Sequence, residues 1–190
     1  MMRRFINNII SVIFTFIKFL FIKLFMGENF KYSVVERFSP DVVTEFSRIS
    51  RVVLGKCIRV HSGSKIKVRT GGKLIIGDNV KINYNCFIIC HDEIFIGDGT
   101  EFGPNVFLYD HDHDYKKGLN IDSKTEYFKK APIVIGKNCW IGANSVLLRG
   151  TVLGDNCVVG AGSVINGQYS ANELIIQKRT TITKKIVYNN

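Results

Sequence analysis

From Ile135 to Ile165 the chain places an aliphatic residue at every sixth position: Ile135, Ile141, Leu147, Leu153, Val159 and Ile165. A second row keeps the same step four residues later, at Cys139, Ser145, Thr151, Cys157 and Ser163, and Gly136, Gly142, Gly154 and Gly160 follow four of the six aliphatics. A period of six fits neither the helical repeat of about 3.6 nor the alternation of a half-buried strand. It predicts a parallel β-helix, in which each hexad supplies one short strand and one corner, and three hexads close a coil. Both rows then point inward and stack on the coils above and below.

The same frame runs upstream at Leu54, Val60 and Ile66, steps by ten to Ile76 across Gly71 and Gly72, and continues at Ile82, Ile88, Ile96, Phe102 and Leu108. One repeat domain is therefore expected over residues 51–168. A polar insertion at 109–132, YDHDHDYKKGLNIDSKTEYFKKAP, leaves the β-helix and returns at Ala131 and Pro132. Residues 28–50, broken by Pro40, form a lead-in with no assigned structure. Residues 169–190 read as a strand or two and a basic tail.

Residues 1–27 follow another pattern. Arg4, Asn8, Ser11, Thr15 and Lys18 line up along one side of a helix, and Phe, Ile and Leu cover the rest. This predicts an amphipathic helix lying in a membrane interface. A span is the competing reading, but the uncharged run from Phe5 to Ile17 is only 13 residues, against about 20 for a bilayer. Phe25, Met26, Gly27 and Glu28 offer no small-x-small cleavage site, which argues against a signal peptide. Packing on the protein's own core is set aside, because a β-helix turns its apolar residues inward and leaves little surface to receive the helix.

Composition narrows the function classes. The 190 residues hold 26 Lys and Arg against 16 Asp and Glu, a formal charge of +10. Such a balance suits an anionic membrane surface or a phosphate-bearing cofactor. With no nucleic-acid module or basic-aromatic pattern, no nucleic acid is expected as a partner. Five cysteines without a CxxC pair, with Cys86, Cys139 and Cys157 in the inward row, read as small buried side chains of a reduced cytosolic protein without structural zinc.

The residues able to do chemistry collect at the insertion. In YDHDHDY, His111 and His113 alternate with Asp110, Asp112 and Asp114. A histidine titrates near neutral pH and suits general-base work on a hydroxyl, while alternating His and Asp also suits a divalent metal or a solvated turn. Trp140 is the only tryptophan, and its place directly before Ile141 points it outward.

Five in-phase hexads, with the related motifs IGDNVKIN, IGDGTEFGPNV and IGKNCWIGANS, resemble the hexapeptide-repeat acyltransferases, the family of maltose, galactoside, serine and capsular-polysaccharide O-acetyltransferases. The resemblance implies an all-β, left-handed parallel β-helix with an extruded loop, here preceded by the N-terminal helix. It also implies a homotrimer that binds acetyl-CoA between subunits, with no metal. The family's base lies eight residues after the Asn of a GPNV hexad, here Asn105, which indicates His113; His111 is the reserve. Asn83 and Asn85 match acceptor-contacting positions, though either suits a left-handed corner equally well. Asp92, beside His91, lines the same cleft on this reading, and Trp140 borders acceptor and pantetheine. Gly142, Ala143, Gly160 and Ala161 receive pantetheine through backbone amides, and Lys178 and Arg179 face the cofactor phosphates. Gln177, Lys178, Arg179 and Thr180 stand where relatives carry Gly-x-Pro-Ala, a departure at the CoA end.

The expected function is O-acetylation of a sugar hydroxyl on a cell-surface polysaccharide or its lipid-linked precursor, by direct transfer at the cytoplasmic face of the membrane. The competing readings are an acetyltransferase for an amino sugar nucleotide or small soluble acceptor, and a metal-binding or non-catalytic β-helix. A zinc anhydrase would need His91, His111 and His113 brought together across subunits.

Overall fold

The computed structural model describes residues 2–116 and 127–178, with Thr180 and Thr183. Three parallel sheets of seven, seven and six strands wrap round one another in sequence order, each strand pairing with the one a coil away. This is the parallel β-helix that the six-residue period predicts, consistent with the left-handed form. A two-stranded antiparallel hairpin is added where the insertion leaves and returns.

The stacking is the periodic one. Leu54, Ile76, Ile96, Ile135 and Leu153 stand in register on one face. Val60, Ile82, Phe102, Ile141 and Val159 do so on the second, and Ile66, Ile88, Leu108, Leu147 and Ile165 on the third. All fifteen are buried. The small row is inward too, and its side chains satisfy corner carbonyls of the next coil: Thr100 Oγ1 donates to Gly136 at 2.9 Å, Cys139 Sγ to Gly154 at 3.2 Å and Cys157 Sγ to Ser170 at 3.0 Å. Desolvation raises the Cys86 and Cys139 thiols above their ordinary pKa, so these cysteines serve packing, not reactivity.

The solenoid is longer than its clean repeat. It begins at Phe30, not near residue 51, because Phe30–Lys31, Arg37–Phe38 and Val43–Phe46 already form the first coil. It closes with Leu174–Ile175. There the Gln177 side chain continues the ladder in place of a strand, accepting from the Val164 amide at 2.8 Å and donating to its carbonyl at 2.6 Å.

The N-terminal helix, Met2–Met26, caps the first coil, which corrects the expectation that it would find no core to pack on. A solenoid has an open end, and here that end is a layer of aromatic rings. Phe19 is fully buried, with edge-on contacts to Phe30, Phe38 and Tyr32 at 5.3, 5.0 and 5.3 Å. At Thr15 and Lys18 the polar stripe faces the coil. Thr15 Oγ1 accepts from the Phe38 amide at 2.9 Å, Lys18 Nζ donates to the Val42 carbonyl at 2.6 Å and Lys23 Nζ to Phe30 at 3.1 Å. These bonds satisfy an edge that would otherwise lack partners. The apolar arc therefore faces outward, with Ile10, Ile13, Ile17, Phe21, Leu24 and Phe25 between 50% and 75% exposed. By length and composition the segment Asn8–Asn29 is long and apolar enough to cross a membrane, with 17% of the window buried.

Candidate active site

The insertion starts where strand Phe107–Tyr109 ends. Asp110 turns inward and is fully buried, while His111–His113 runs out as a strand paired antiparallel with Phe128–Lys130. Alternation along that strand puts His111 and His113 on one side. The buried carboxylate of Asp110 is supported by the coil below it. It accepts from the His91 amide at 2.8 and 3.0 Å and from the Asp92 amide at 2.7 Å. It also contacts His111 Nδ1, at 3.1 Å, and the Cys90 thiol.

Three histidines and a phenylalanine form the wall of an open groove of about 540 Å³, lined by Arg69, Thr70, Ile89, His91, His111, His113, Phe128 and Lys130. The His91 and His111 rings lie 3.8 Å apart between centroids, and Phe128 packs against His91, His111 and His113 at 4.4, 5.2 and 4.9 Å. Burial first, and then the neighbouring His111, push the His91 pKa down to about 4, so its ring is neutral at pH 7. His111 is enclosed and His113 is exposed at the groove's lip. Arg149 Nε bonds Asp112 Oδ2 at 2.5 Å on the other side of the hairpin, and Lys130 Nζ bonds the His91 carbonyl at 3.0 Å. Among the described residues no group of three His, Cys, Asp or Glu is spaced to hold a metal.

The other predicted residues distribute around the coil. Asn85 takes φ 56° at the corner before strand Phe87–Cys90, whereas His91 follows that strand, so the pair Asn83 and Asn85 sits at the far end of the face from the groove. Asn85 holds its left-handed corner as one of a set with Asn79, Asn105, Asn138, Asn144, Asn156 and Asn172. Asn83 Oδ1 accepts from the Tyr84 amide at 2.9 Å. Asp92 does not line the groove; its amide donates to the buried Asp110 carboxylate behind it, at 2.7 Å. Trp140 points outward as expected, 59% exposed, on the face bearing Glu101 and Val158 and not beside the histidines. The amides expected to receive pantetheine at Gly142 and Gly160 are engaged within the coil, donating to Val159 and Ile175 at 2.8 Å each. Ala143 and Ala161 adjoin them at the same corners. Lys178 lies on the exposed end of the last coil, and Arg179 falls outside the described residues. What sequence reasoning did not single out is Arg69, Phe128 and Lys130. None carries a motif, and only the coil stacking and the returning strand bring them to His91 and His111.

Comparison with known proteins agrees with this architecture. Residues 132–166 match the family model described as the hexapeptide repeat of succinyl-transferase. Nodulation protein L of Rhizobium leguminosarum bv. viciae is 40% identical over 80 residues, 40% of this chain and 38% of that protein. WbbJ of Escherichia coli K12, which carries the name of a lipopolysaccharide biosynthesis O-acetyl transferase, is 33% identical over 123 residues, 62% of either chain. The chain thus spans about four to six tenths of the length of these relatives. Among solved structures, AntD, an N-acyltransferase from Bacillus cereus in complex with dTDP and 3-hydroxybutyryl-CoA, superposes with a TM-score of 0.58 at 19% identity, covering 72% of each chain. Fold and repeat together define a hexapeptide-repeat β-helix. The chain resembles the acyltransferases built on that scaffold.

Proposed function

We propose that the protein is an acyl-CoA-dependent O-acetyltransferase acting on a sugar hydroxyl of a cell-surface polysaccharide or its lipid-linked precursor. The observation that carries this reading is the pair His111 and His113 on one side of a strand beside an open groove, one tied to a buried carboxylate and the other open to solvent. The name of WbbJ, a lipopolysaccharide biosynthesis O-acetyl transferase, supports a saccharide acceptor.

In the proposed step His113 takes the proton of the acceptor hydroxyl as the oxygen attacks the thioester carbonyl of acetyl-CoA. The carbon–sulfur bond breaks, the acetyl group stays on the sugar oxygen, and the proton leaves with the CoA thiol. A base near neutral pKa suits this step and contributes about 100- to 10,000-fold. His113 is the histidine that a bulky acceptor can reach, since His111 is enclosed by His91, Tyr109 and Phe128. A second reading makes His111 the base, because Asp110 fixes its ring as an acid–base pair requires.

The face bearing Trp140 is separate from the groove in one chain. A homotrimer would set that face of one subunit against the groove of the next and give acetyl-CoA a site with two walls. The outward apolar arc of the N-terminal helix supports peripheral attachment at the inner face of the cell membrane, the side that holds acetyl-CoA.

Thiol release from acetyl-CoA, measured with wild type, His113→Ala and His111→Ala over a panel of mono- and oligosaccharides, tests the proposal. Acceptor-dependent release reduced at least 100-fold in His113→Ala, with a smaller loss in His111→Ala, is expected. The reverse order transfers the base to His111. Wild-type protein that neither binds nor turns over acetyl-CoA overturns the function.

A further inference from the structure

One corner of the β-helix repeats the same position through four coils. Phe46 stands in register with Val68 and Val68 with Cys90, and the Ser47 and Arg69 amides bond the Val68 and Cys90 carbonyls. Asp110 then meets the His91 amide from the coil above. The residues after these strands, Ser47, Arg69, His91 and His111, therefore form a column. Strands in a sheet lie about 4.8 Å apart, so Arg69 sits about 10 Å below His111 and about 5 Å above Ser47.

The groove that holds the histidines continues down this column. A second groove of about 560 Å³, lined by Phe21, Ile22, Phe25, Thr44, Glu45, Phe46, Ser47, Val68, Arg69 and Thr70, shares Arg69 and Thr70 with the first. Its lower end is the outward apolar arc of the helix, where Phe21 and Phe25 are 65% and 58% exposed. The path thus changes character along its length: an apolar mouth at the helix, a cationic middle and a histidine-lined end. In the middle, Arg69 shares the single carboxylate of Glu45 with Lys67, which stands beside the path and does not line it, at 3.4 and 2.9 Å, so two cations face one anion. Thr70 Oγ1 and Ser47 Oγ add hydroxyls there, 3.2 Å apart.

We infer that this path is the acceptor track and that it takes a saccharide linked through phosphate to a polyisoprenyl chain. The chain enters between Phe21 and Phe25 from the membrane surface, the phosphate meets Arg69, and the sugar reaches the histidines about two coils further on. The order of the three chemistries along the path matches the order of the three parts of such a molecule. A free nucleotide sugar has no use for the apolar mouth, and a plain lipid has none for the histidines. The inference rests on the acyl-transfer reading for its direction, while the binding of the phosphate and the chain can be measured without any acyl transfer.

The test uses the full chain in detergent micelles, with farnesyl phosphate, farnesol and inorganic phosphate as probes and acetyl-CoA as competitor. Farnesyl phosphate is expected to bind at least 10-fold more tightly than farnesol or inorganic phosphate. Arg69→Gln should lose that preference and Arg69→Lys should keep most of it, both with wild-type far-UV circular dichroism. Equal binding of farnesyl phosphate and farnesol overturns the phosphate site, and inorganic phosphate binding as tightly as farnesyl phosphate overturns the lipid part. Displacement of farnesyl phosphate by acetyl-CoA overturns the assignment to the acceptor. A protein that binds farnesyl phosphate through Arg69 yet never releases thiol keeps the site and refutes the acyl-transfer reading alone.

Discussion

The buried carboxylate of Asp110 joins two coils: it receives the amides of His91 and Asp92 from below and holds His111 Nδ1 at 3.1 Å beside it. Removing it leaves two buried N–H groups without an acceptor and frees the His111 ring. Asp110→Ala is expected to cost about 2–3 kcal/mol in urea unfolding and to lower acceptor-dependent thiol release. Asp110→Asn keeps one acceptor oxygen and should cost less.

The depressed pKa of His91 makes stability depend on pH. An unfolded histidine titrates near 6.5, while the folded ring stays neutral down to about 4, so the unfolded chain binds the extra proton between these values. Stability from this group is complete above pH 6.5 and is lost as pH falls towards 4. Unfolding free energies of His91→Gln and wild type, measured from pH 4 to 7, should show a shallower decline in the variant.

Glu36 behaves in the opposite sense. Its side chain is 1% exposed and Oε2 accepts from the Ile58 amide at 2.6 Å, but burial dominates and raises its pKa to about 8. The folded state therefore holds a proton that the unfolded chain releases near 4.5, and stability falls as pH rises from about 4.5 to 8. Glu36→Gln removes that titration. It should match wild type at pH 5 and exceed it at pH 8.5 by more than about 1 kcal/mol, read from denaturant midpoints.

Two glycines that occupy equivalent places in the repeat should respond differently. A Cβ at Gly142 would lie 2.5 Å from the Ala161 amide nitrogen and 2.6 Å from the Val159 carbonyl oxygen, whereas at Gly160 the nearest atom is the Ile175 oxygen at 3.4 Å. Gly142→Ala must push two coils apart and should cost about 1–3 kcal/mol or more. Gly160→Ala should stay within about 1 kcal/mol of wild type, both by urea unfolding.

Membrane attachment is better tested by surface substitution than by deleting residues 1–26, which would strip the cap from Phe30 and Phe38. Ile10→Gln, Ile17→Gln and Leu24→Gln together alter residues 50%, 50% and 75% exposed and leave Thr15, Lys18 and Phe19 in place. The triple variant should cosediment with anionic phospholipid vesicles several-fold less than wild type, at an unchanged melting temperature. Equal cosedimentation would remove the helix from any role at the membrane.

The sequence by itself determined the β-helix, the three inward ladders and the exit of the insertion, because a strict six-residue step admits one way of burying Ile135, Ile141 and Leu147 together. It also brought out His111 and His113, since histidines alternating with aspartates stand apart from hexads. The first coil was not legible: its inward residues Phe30 and Phe38 serve the helix cap, and so they depart from the aliphatic frame. Only the tertiary structure decided which way the helix faces, because both arcs satisfy the same periodicity and the choice depends on open strand edges that Thr15 and Lys18 complete. It alone set Arg69 beneath His91 and His111, for residues about 20 positions apart become neighbours only when the coils stack.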